Sequence, residues 1–257
     1  MGNLNVDPMK KSSIYSIFGK YYGEKLYRLL YDCCNGQPGS FCYEVLKCIG
    51  VSSQGDADLV LNQQGEWVEK SAPQFQYEIG QYVEEEGGVI FHRWLSTSAY
   101  GTPTFGTVQN YLVIDTIDLN SGASASWASL NVNISNVGSS WDGKTNTTNL
   151  ITAGAGGGID PGTAAVLCDT STRGGKSDWY LPALDELSKI WQNRIDVSQG
   201  ILDASGTLMQ QGGGSNYWSS TQVNVSQAMY FLFQGGYGNP LSKASSCYVR
   251  AVRKFSI

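Results

Sequence analysis

The clearest alternation of hydrophobic and polar positions lies near the C-terminus of the chain, in residues 248–253. A second run, residues 216–221, contains Tyr217 and Trp218, which are strong strand formers. Both runs predict β-strands. The segment between them is rich in Gly, Ser, Asn and aromatic residues, a composition that suits an adaptable binding surface. The same composition also fits a β-meander with ordinary loops.

Near the N-terminus the period is different. Apolar residues recur at close to 3.6 residues over residues 9–34, which predicts an amphipathic helix. A second short helix is expected around residues 41–48, and residues 59–68 predict a hairpin with its turn near Gln64-Gly65. These elements define a small, mainly helical N-terminal region, residues 1–72.

Short strands and long loops are predicted for the middle of the chain. A glycine turn leads into an apolar run over residues 87–91, and residues 111–115 predict the next strand. Residues 121–149 are mostly Gly, Ser, Asn and Thr, so a long loop is expected there, with Trp127 and Trp141 pinning it to the core.

Two helices interrupt this β-rich part. Asp160-Pro161 supplies an N-cap followed by proline at the first helical position, which predicts a helix over residues 160–168. A second helix is expected over residues 182–193, where apolar side chains share one face and acidic residues near the start suit the helix dipole. The glycine run 154–158 lacks the Gly-Lys-Ser/Thr ending of a phosphate loop, so it is expected to be flexible.

Composition and charge narrow the class of protein. Apolar residues make up 41% of the chain and charged residues 15%, and there are 31 glycines, which is typical of a compact, turn-rich β protein. The net charge of −5 argues against nucleic acid as a partner, because phosphate binding needs a cationic surface. No run of about 18 apolar residues is present, so no membrane insertion is predicted. The N-terminus also has no uninterrupted apolar core of the kind that a signal peptide needs.

Residues that could carry chemistry are few. The single histidine, His92, lies in a strand-like run and is expected to be structural or exposed, so a nucleophilic triad is not predicted. Asp178, Asp185 and Glu186 could form an acid pair, but helix capping also explains them. The sequence therefore predicts neither an enzyme nor a cofactor.

The six cysteines fall into an N-terminal group of four and two distant residues, Cys168 and Cys247. The spacing of the N-terminal group does not supply the paired C-x₂₋₄-C pattern of a zinc site, so no metal is predicted and buried free thiols are favoured.

Several ordered motifs in the C-terminal part resemble one known group of domains. They are Asp178-Trp179-Tyr180-Leu181-Pro182, Asp185-Glu186-Leu187, Tyr217-Trp218-Ser219-Ser220 and Val249-Arg250-Ala251-Val252-Arg253. The chain resembles, over roughly residues 81–257, the C-type-lectin-like domains of the Fibrobacter succinogenes major paralogous type and the variable proteins of diversity-generating retroelements. The resemblance implies an α+β C-type-lectin-like fold over residues 77–257, the C-terminal three-quarters of the chain, that displays a ligand-binding surface.

The resemblance also implies a setting and partners. A display fold without a signal peptide would reach the outside of a cell as part of a bacteriophage virion, as a head or tail fibre, after synthesis in the host cytoplasm. Residues 1–72 would dock to other virion proteins, in a homo-oligomer, and the C-terminal domain would bind a host cell-surface glycan or protein. The calcium-binding sequences of sugar-binding C-type lectins are absent, so calcium is not expected.

In these relatives a cysteine pair is often formed between the helix before the Trp-Leu-Pro motif and the terminal strand. Ala251 stands where many relatives have the second cysteine, so a bridge between Cys168 and Cys247 is doubtful.

The resemblance places the variable, ligand-contacting positions between the Trp-Ser-Ser strand and the terminal Val-Arg strand. Tyr230 and Tyr237 are the expected energetic anchors, because a tyrosine ring gives a large contact area at modest entropic cost. The candidate ligand-binding residues are Gln222, Asn224, Ser226, Gln227, Tyr230, Gln234, Tyr237, Asn239, Ser242, Ser245 and Ser246. The expected scaffold around them is Tyr217, Trp218, Ser219, Ser220, Ala228, Phe233, Gly235, Val249, Arg250, Val252 and Arg253.

Two other functions remain open at this point. One is a secreted or periplasmic enzyme of the formylglycine-generating type, which shares the fold but whose reactive cysteine pair has no match here. The other is a capsid decoration that binds nothing strongly.

Overall fold

The structure is a computed structural model that describes residues 59–61, 67–69 and 75–257, apart from residues 105, 211 and 213. The chain divides into two units, residues 1–74 and residues 75–257, and each is considered by itself.

In the first unit, strand β1 (Leu59–Leu61) pairs with strand β2 (Trp67–Glu69) in antiparallel register. This pairing confirms the predicted hairpin. The helices predicted over residues 9–34 and 41–48 lie outside the described residues, and the docking role of residues 1–72 stays a prediction.

The second unit is a mixed α+β domain, which confirms the α+β class predicted from the sequence. In chain order its strands and helices are β3 (Tyr82–Val83), β4 (Gly88–Ser96), β5 (Val108–Ile114), β6 (Ala125–Ser126), α1 (Gly143–Ala153), α2 (Ala164–Asp169), α3 (Leu184–Gln192), α4 (Arg194–Asp203), β7 (Asn216–Gln222), β8 (Gln227–Leu232), β9 (Tyr237–Ser242), β10 (Ser246–Cys247) and β11 (Val252–Ser256).

Three antiparallel sheets are formed by these strands. The largest has the order β11-β5-β4-β3, the second has the order β7-β8-β9, and β6 pairs with β10. A register shift between Ile90 and His92 marks a bulge in β4. The second sheet leaves β9 at its edge, and Pro240 lies in that strand, where a missing backbone donor is tolerated.

Both larger sheets are covered on each face by a separate hydrophobic cluster. Along β4, Ile90 belongs to the first cluster, while Val89 and Phe91 belong to the second. Along β7, Trp218 belongs to the first cluster and Tyr217 to the second. Helices α1 and α2 contribute to the first cluster and helices α3 and α4 to the second, through Leu150, Ala164, Cys168, Leu187, Ile190, Val197 and Ile201. Burial on both faces explains why these strands are rich in large apolar residues.

The strand predicted for residues 248–252 is wrong in its position. Tyr248 makes one isolated parallel bridge with Tyr217, and regular pairing resumes only at Val252, in the four-stranded sheet. The chain therefore crosses between the two sheets here. The carbonyl of Val249 accepts a hydrogen bond at 2.8 Å from the backbone N–H of Leu119, which lies in a loop and not in a strand. Strands β7 and β11 therefore belong to different sheets.

The two helices predicted for this unit are found, but each begins a few residues later than expected. The helix expected over residues 160–168 is α2, and the helix expected over residues 182–193 is α3. Two helices were not predicted. Helix α1 begins within the expected loop 121–149. It was not predicted because its sequence is mostly Thr, Asn and Gly and has no apolar period. Helix α4 has a polar sequence interrupted by Gly200 and follows α3 directly.

The two tryptophans that were expected to attach the loop to the core differ in their exposure. Trp127 is buried, as expected, but Trp141 is 72% exposed, so its role as a pin is wrong. The glycine run forms a 3₁₀ turn, Gly154–Gly157, and is not an irregular loop.

An ion pair buried in the C-terminal unit joins the crossover to distant loops. The side chain of Arg250 is fully buried, and its Nε donates to Asp118 Oδ1 at 2.7 Å. Its two terminal nitrogens donate to the backbone carbonyls of Asp115 and Thr207, at 3.2 and 2.8 Å. Tyr217 donates its hydroxyl to the other oxygen of Asp118, at 3.0 Å. All three nitrogens of the guanidinium are thus used inside the protein.

We expect Arg250→Met to lower the free energy of unfolding by about 3–5 kcal/mol, because the substitution leaves the Asp118 carboxylate buried without its cation. Chemical unfolding followed by tryptophan fluorescence measures this. Glu78→Gln is the control, because Glu78 pairs with Arg93 at 2.8 Å while its side chain is 70% exposed, so its loss should lower the free energy of unfolding far less than the loss of Arg250. Equal small losses in both variants would contradict the structural role of Arg250.

Candidate functional site

The candidate ligand-binding residues lie along the β8–β9 hairpin and the two turns beside it. Gln227 pairs with Ser242 at one end of the hairpin, and Leu232 pairs with Tyr237 at the other. Five residue steps along a strand separate the two ends by about 17 Å. The predicted residues therefore form two groups instead of one compact site.

The group at the first end is built by two linked turns. In the β7–β8 turn, the side-chain oxygen of Asn224 accepts hydrogen bonds from the backbone of Ser226 and Gln227, both at 2.9 Å. Asparagine is favoured in turns because its side chain caps the backbone in this way. The β9–β10 turn is attached to it through Lys243, whose backbone N–H donates to the carbonyl of Ser226 at 2.9 Å.

Lys243 is the least expected residue of this region. Its side chain is completely buried, and its Nζ donates to the carbonyl of Val132 at 2.6 Å and to Gln222 Oε1 at 2.7 Å. The ammonium also lies 4.8 Å from the centre of the Trp127 ring, within the range of a cation–π interaction. No carboxylate pairs with it among the described residues, and burial lowers the pKa of Lys243 to about 8.

Gln222 holds the loop that precedes α1. Its Nε2 donates to the carbonyl of Ile134 at 2.9 Å and to Asn133 Oδ1 at 2.8 Å, and its Oε1 accepts from the N–H of Ile134 at 3.1 Å. Every polar atom of this side chain is engaged within the protein. Gln222 was predicted as a ligand contact, but the structure gives it a positioning role for residues 129–137.

Two tryptophans fix the floor beneath these turns. The indole of Trp127 donates to the carbonyl of Ser219, and the indole of Trp218 donates to the carbonyl of Ala125, both at 2.8 Å. Both indole rings are buried. The loop that contains Ala125 and Trp127 is therefore bonded to strand β7, which carries the Trp-Ser-Ser motif.

The group at the second end contains Tyr237 and Gln234. Tyr237 is 49% exposed, and its ring lies against Gly235, where an added Cβ would meet a ring carbon at 2.3 Å. Gly236, with φ of 72°, is packed in the same manner against the ring of Trp191. This turn needs glycine at both places, for space at the first and for space and conformation at the second.

Exposure separates the predicted contacts further. Six of them are exposed to solvent, namely Asn224, Gln234, Tyr237, Asn239, Ser242 and Ser246, and the other five are half-buried. Tyr230 belongs to the half-buried set and packs against the first hydrophobic cluster. It is therefore a weaker candidate for an anchor than Tyr237. The predicted scaffold residues are buried, with the exception of Gly235.

The three carboxylates considered for acid–base chemistry have separate partners. Asp178 pairs with Arg253, and Asp185 accepts a hydrogen bond from the hydroxyl of Ser140 at 2.7 Å. Glu186 accepts from the N–H of Ala183, the residue that caps α3, at 2.7 Å. The predicted capping role is thus confirmed for Glu186.

Glu186 is also the carboxyl with the largest change in acidity. Burial raises its pKa from 4.5 to about 7, although hydrogen bonds from Ala183 N–H and the Tyr180 hydroxyl favour the ionised form. His92 is half-buried and stacks on Trp94, with ring centres 5.7 Å apart. Burial, and secondarily the charge of Lys189, lowers the pKa of His92 to about 4.

Cys168 and Cys247 are both free and buried, and burial raises the pKa of each thiol. Within residues 75–257, apart from the three undescribed positions, no group of three or more His, Cys, Asp or Glu side chains is arranged to hold a metal ion. No described helix is long and apolar enough to cross a membrane.

The described C-terminal unit is a mixed α+β domain that presents uncharged polar side chains on an edge hairpin and its adjoining turns. A family model described as the Lcl C-terminal domain matches residues 120–253, which is more than half of the chain. The chain belongs to the Lcl C-terminal domain family. No curated protein matches the chain.

Glu186 gives a test of the electrostatics at the start of α3. Because its pKa in the folded protein exceeds that in the unfolded chain, the folded state holds more protons between pH 4.5 and 7, and stability falls as the pH rises through that window. We expect Glu186→Gln to remove up to about 3 kcal/mol of this decline, measured by chemical unfolding at pH 5 and pH 8. Asp185→Asn, at an exposed neighbour, should keep the wild-type slope. An unchanged slope in Glu186→Gln would show that another group titrates.

Proposed function

We propose that this chain is a bacteriophage virion protein whose C-terminal domain, of C-type-lectin-like fold, binds a glycan or protein on the host cell surface. The observation that carries the proposal is the separation of scaffold from surface in β7, β8 and β9. Residues such as Trp218 and Phe231 are buried, while Asn239, Ser242 and Tyr237 are exposed on the edge strand. Such an arrangement lets the exposed residues change while the core is kept.

Membership of the Lcl C-terminal domain family supports this function, because that domain is associated with variable, adhesin-like proteins of phages and diversity-generating retroelements. The covered sheets and the two pairs of helices are compatible with a C-type-lectin-like fold. Binding is favoured over catalysis because the carboxylates of Asp178, Asp185 and Glu186 each serve a structural contact.

In this proposal residues 1–72 attach the C-terminal domain to other virion proteins, and the assembly is a homo-oligomer. The support is the amphipathic pattern of residues 9–34, whose apolar face is rich in aromatic and aliphatic residues. The virion is the site of action, and the host surface is the partner.

The binding surface can be tested at the two tyrosines. We expect Tyr237→Ala to weaken binding to host cells about tenfold with little change in Tm, because the ring is half-exposed and supports no core contact beyond its own turn. Tyr230→Ala should instead lower Tm by about 5 °C, because it removes a ring packed on the first hydrophobic cluster.

The matched control is Tyr82→Ala, since Tyr82 is 37% exposed on β3, in the other large sheet. Cell binding is measured by adsorption of fluorescent protein and Tm by circular dichroism. Wild-type binding in a folded Tyr237→Ala protein would move the site away from this end of the hairpin, and no cell binding by the wild-type chain would end the adhesion proposal.

The attachment role can be tested by deleting residues 1–72. We expect the shortened protein to keep the circular dichroism spectrum of a folded domain, because residues 75–257 form a separate unit with their own core, and to be missing from purified particles. Immunoblots of virions measure incorporation. Normal incorporation of the shortened protein would place the attachment site in the C-terminal domain.

A further inference from the structure

The two longest segments of the chain without a charged side chain lie in the C-terminal unit. Residues 119–141 lie between Asp118 and Asp142, and residues 204–242 lie between Asp203 and Lys243. Charged residues make up 15% of the whole chain, so segments of this length without one are unusual for surface loops.

The fold brings these two segments to the same place. Gln222, from the second segment, holds Asn133 and Ile134 of the first, and its backbone N–H donates to the carbonyl of Val137 at 2.8 Å. Lys243 adds its contact with the carbonyl of Val132. We call the combined exterior of residues 130–136, 223–226 and 242–246 the tip surface.

The one cation within the tip surface is not available to a ligand. Lys243 is completely buried, and its ammonium is held by Val132, Gln222 and the Trp127 ring. The carboxylate of Asp160 lies beside this surface, not within it, and accepts a hydrogen bond from the hydroxyl of Ser129. The exterior of the tip surface is therefore neutral.

Hydrogen-bonding groups and small aliphatic side chains alternate over this surface. Asn131, Asn133 and Ser242 are exposed, and Val223 and Val225 are 46% and 49% exposed. Amides and hydroxyls both donate and accept hydrogen bonds, as the hydroxyl groups of sugars do. Aromatic rings and arginine, which dominate the centres of protein–protein interfaces, are missing from the described residues of the tip surface.

We propose that the tip surface binds a neutral oligosaccharide, one that carries neither carboxylate nor sulfate, and that the loop 130–136 supplies contacts beyond the hairpin residues. This inference rests on the proposed function and names its ligand class. A charged glycan would need opposite charges for tight binding, and a protein partner would need an apolar or aromatic centre. Among its described residues the tip surface has no exposed charge and no aromatic ring, and its exposed aliphatic side chains, Leu130, Val223 and Val225, alternate along the chain with amides and hydroxyls.

The experiment probes the full-length chain with an array of neutral, sialylated and sulfated oligosaccharides, at about 50 mM and about 500 mM NaCl, because screening weakens contacts between charges. We expect binding to neutral oligosaccharides that changes less than about twofold with salt. Asn131→Asp and Asn131→Lys should each weaken this binding about tenfold, because both remove the same amide and a neutral ligand does not distinguish the sign of the charge.

The control pair is Ile195→Asp and Ile195→Lys, at a residue 76% exposed on α4, a helix that packs against β3 and β4. Both control variants should bind as the wild-type chain does. The same pair of substitutions at Ser242 repeats the test from the hairpin side, and circular dichroism verifies folding of each variant.

Each other outcome overturns a distinct claim. Binding only to acidic oligosaccharides, lost at high salt and strengthened by Asn131→Lys, would overturn the neutral ligand but keep the adhesion function. Neutral binding that is lost in Tyr237→Ala and unchanged at Asn131 and Ser242 would place the site at the other end of the hairpin. Binding to a host surface protein and to no oligosaccharide would overturn the ligand class alone. No binding to arrays or cells would overturn both the ligand class and the proposed function.

Discussion

The buried guanidinium of Arg250 is the interaction on which the arrangement of the C-terminal unit depends. A charge without water needs a full set of partners, and Arg250 obtains them from one carboxylate and two backbone carbonyls far away in sequence. These contacts hold the crossover between the two larger sheets against the loop that follows β5. Since Tyr217 shares the Asp118 carboxylate, the start of β7 is fixed by the same group. The position of the β8–β9 hairpin, which pairs with β7, therefore depends on a polar contact as much as on the apolar core.

The two hydrophobic clusters explain why the accessible part of the smaller sheet is limited to an edge. Helices contribute to both hydrophobic clusters, so β7 is buried along most of its length, while β8 buries only Ala228 and Phe231 fully. In the described part of this sheet, the exposed side chains lie on β9 and in the turns at the ends of β7, β8 and β9, although Leu241 of β9 still packs against the first cluster. Backbone pairing keeps these side chains in register, because strands β8 and β9 pair along their whole length. Surface residues there can differ at small cost in stability.

Sequence patterns could predict most of the strands, because their apolar residues are concentrated where both faces are buried. Residues 88–91 of the first apolar run and residues 216–221 fall within β4 and β7 for this reason. The final strand was misplaced because residues 249–251 are buried like a strand, but the carbonyls of Val249 and Ala251 accept hydrogen bonds from Leu119 and Asp115, outside any strand pairing. Helix α1 had no apolar period to detect, since it meets the core through Leu150 and small polar residues such as Thr147.

The sequence could predict only part of the candidate surface, and the contacts of Lys243 show the physical reason. A lysine within a serine-rich turn is expected to be solvated, because burial of an ammonium is unfavourable unless donors and acceptors match. Here two oxygen acceptors and an aromatic face compensate, and both acceptors come from residues that sequence spacing does not connect to it. Gln222 has the same property, since its polar atoms meet a loop about ninety residues earlier in the chain. Both side chains therefore hold residues 130–136 in place while leaving no charge on the exterior. A polar, uncharged surface that is held by such contacts should lose little entropy when a ligand binds, and this property favours the binding function proposed for it.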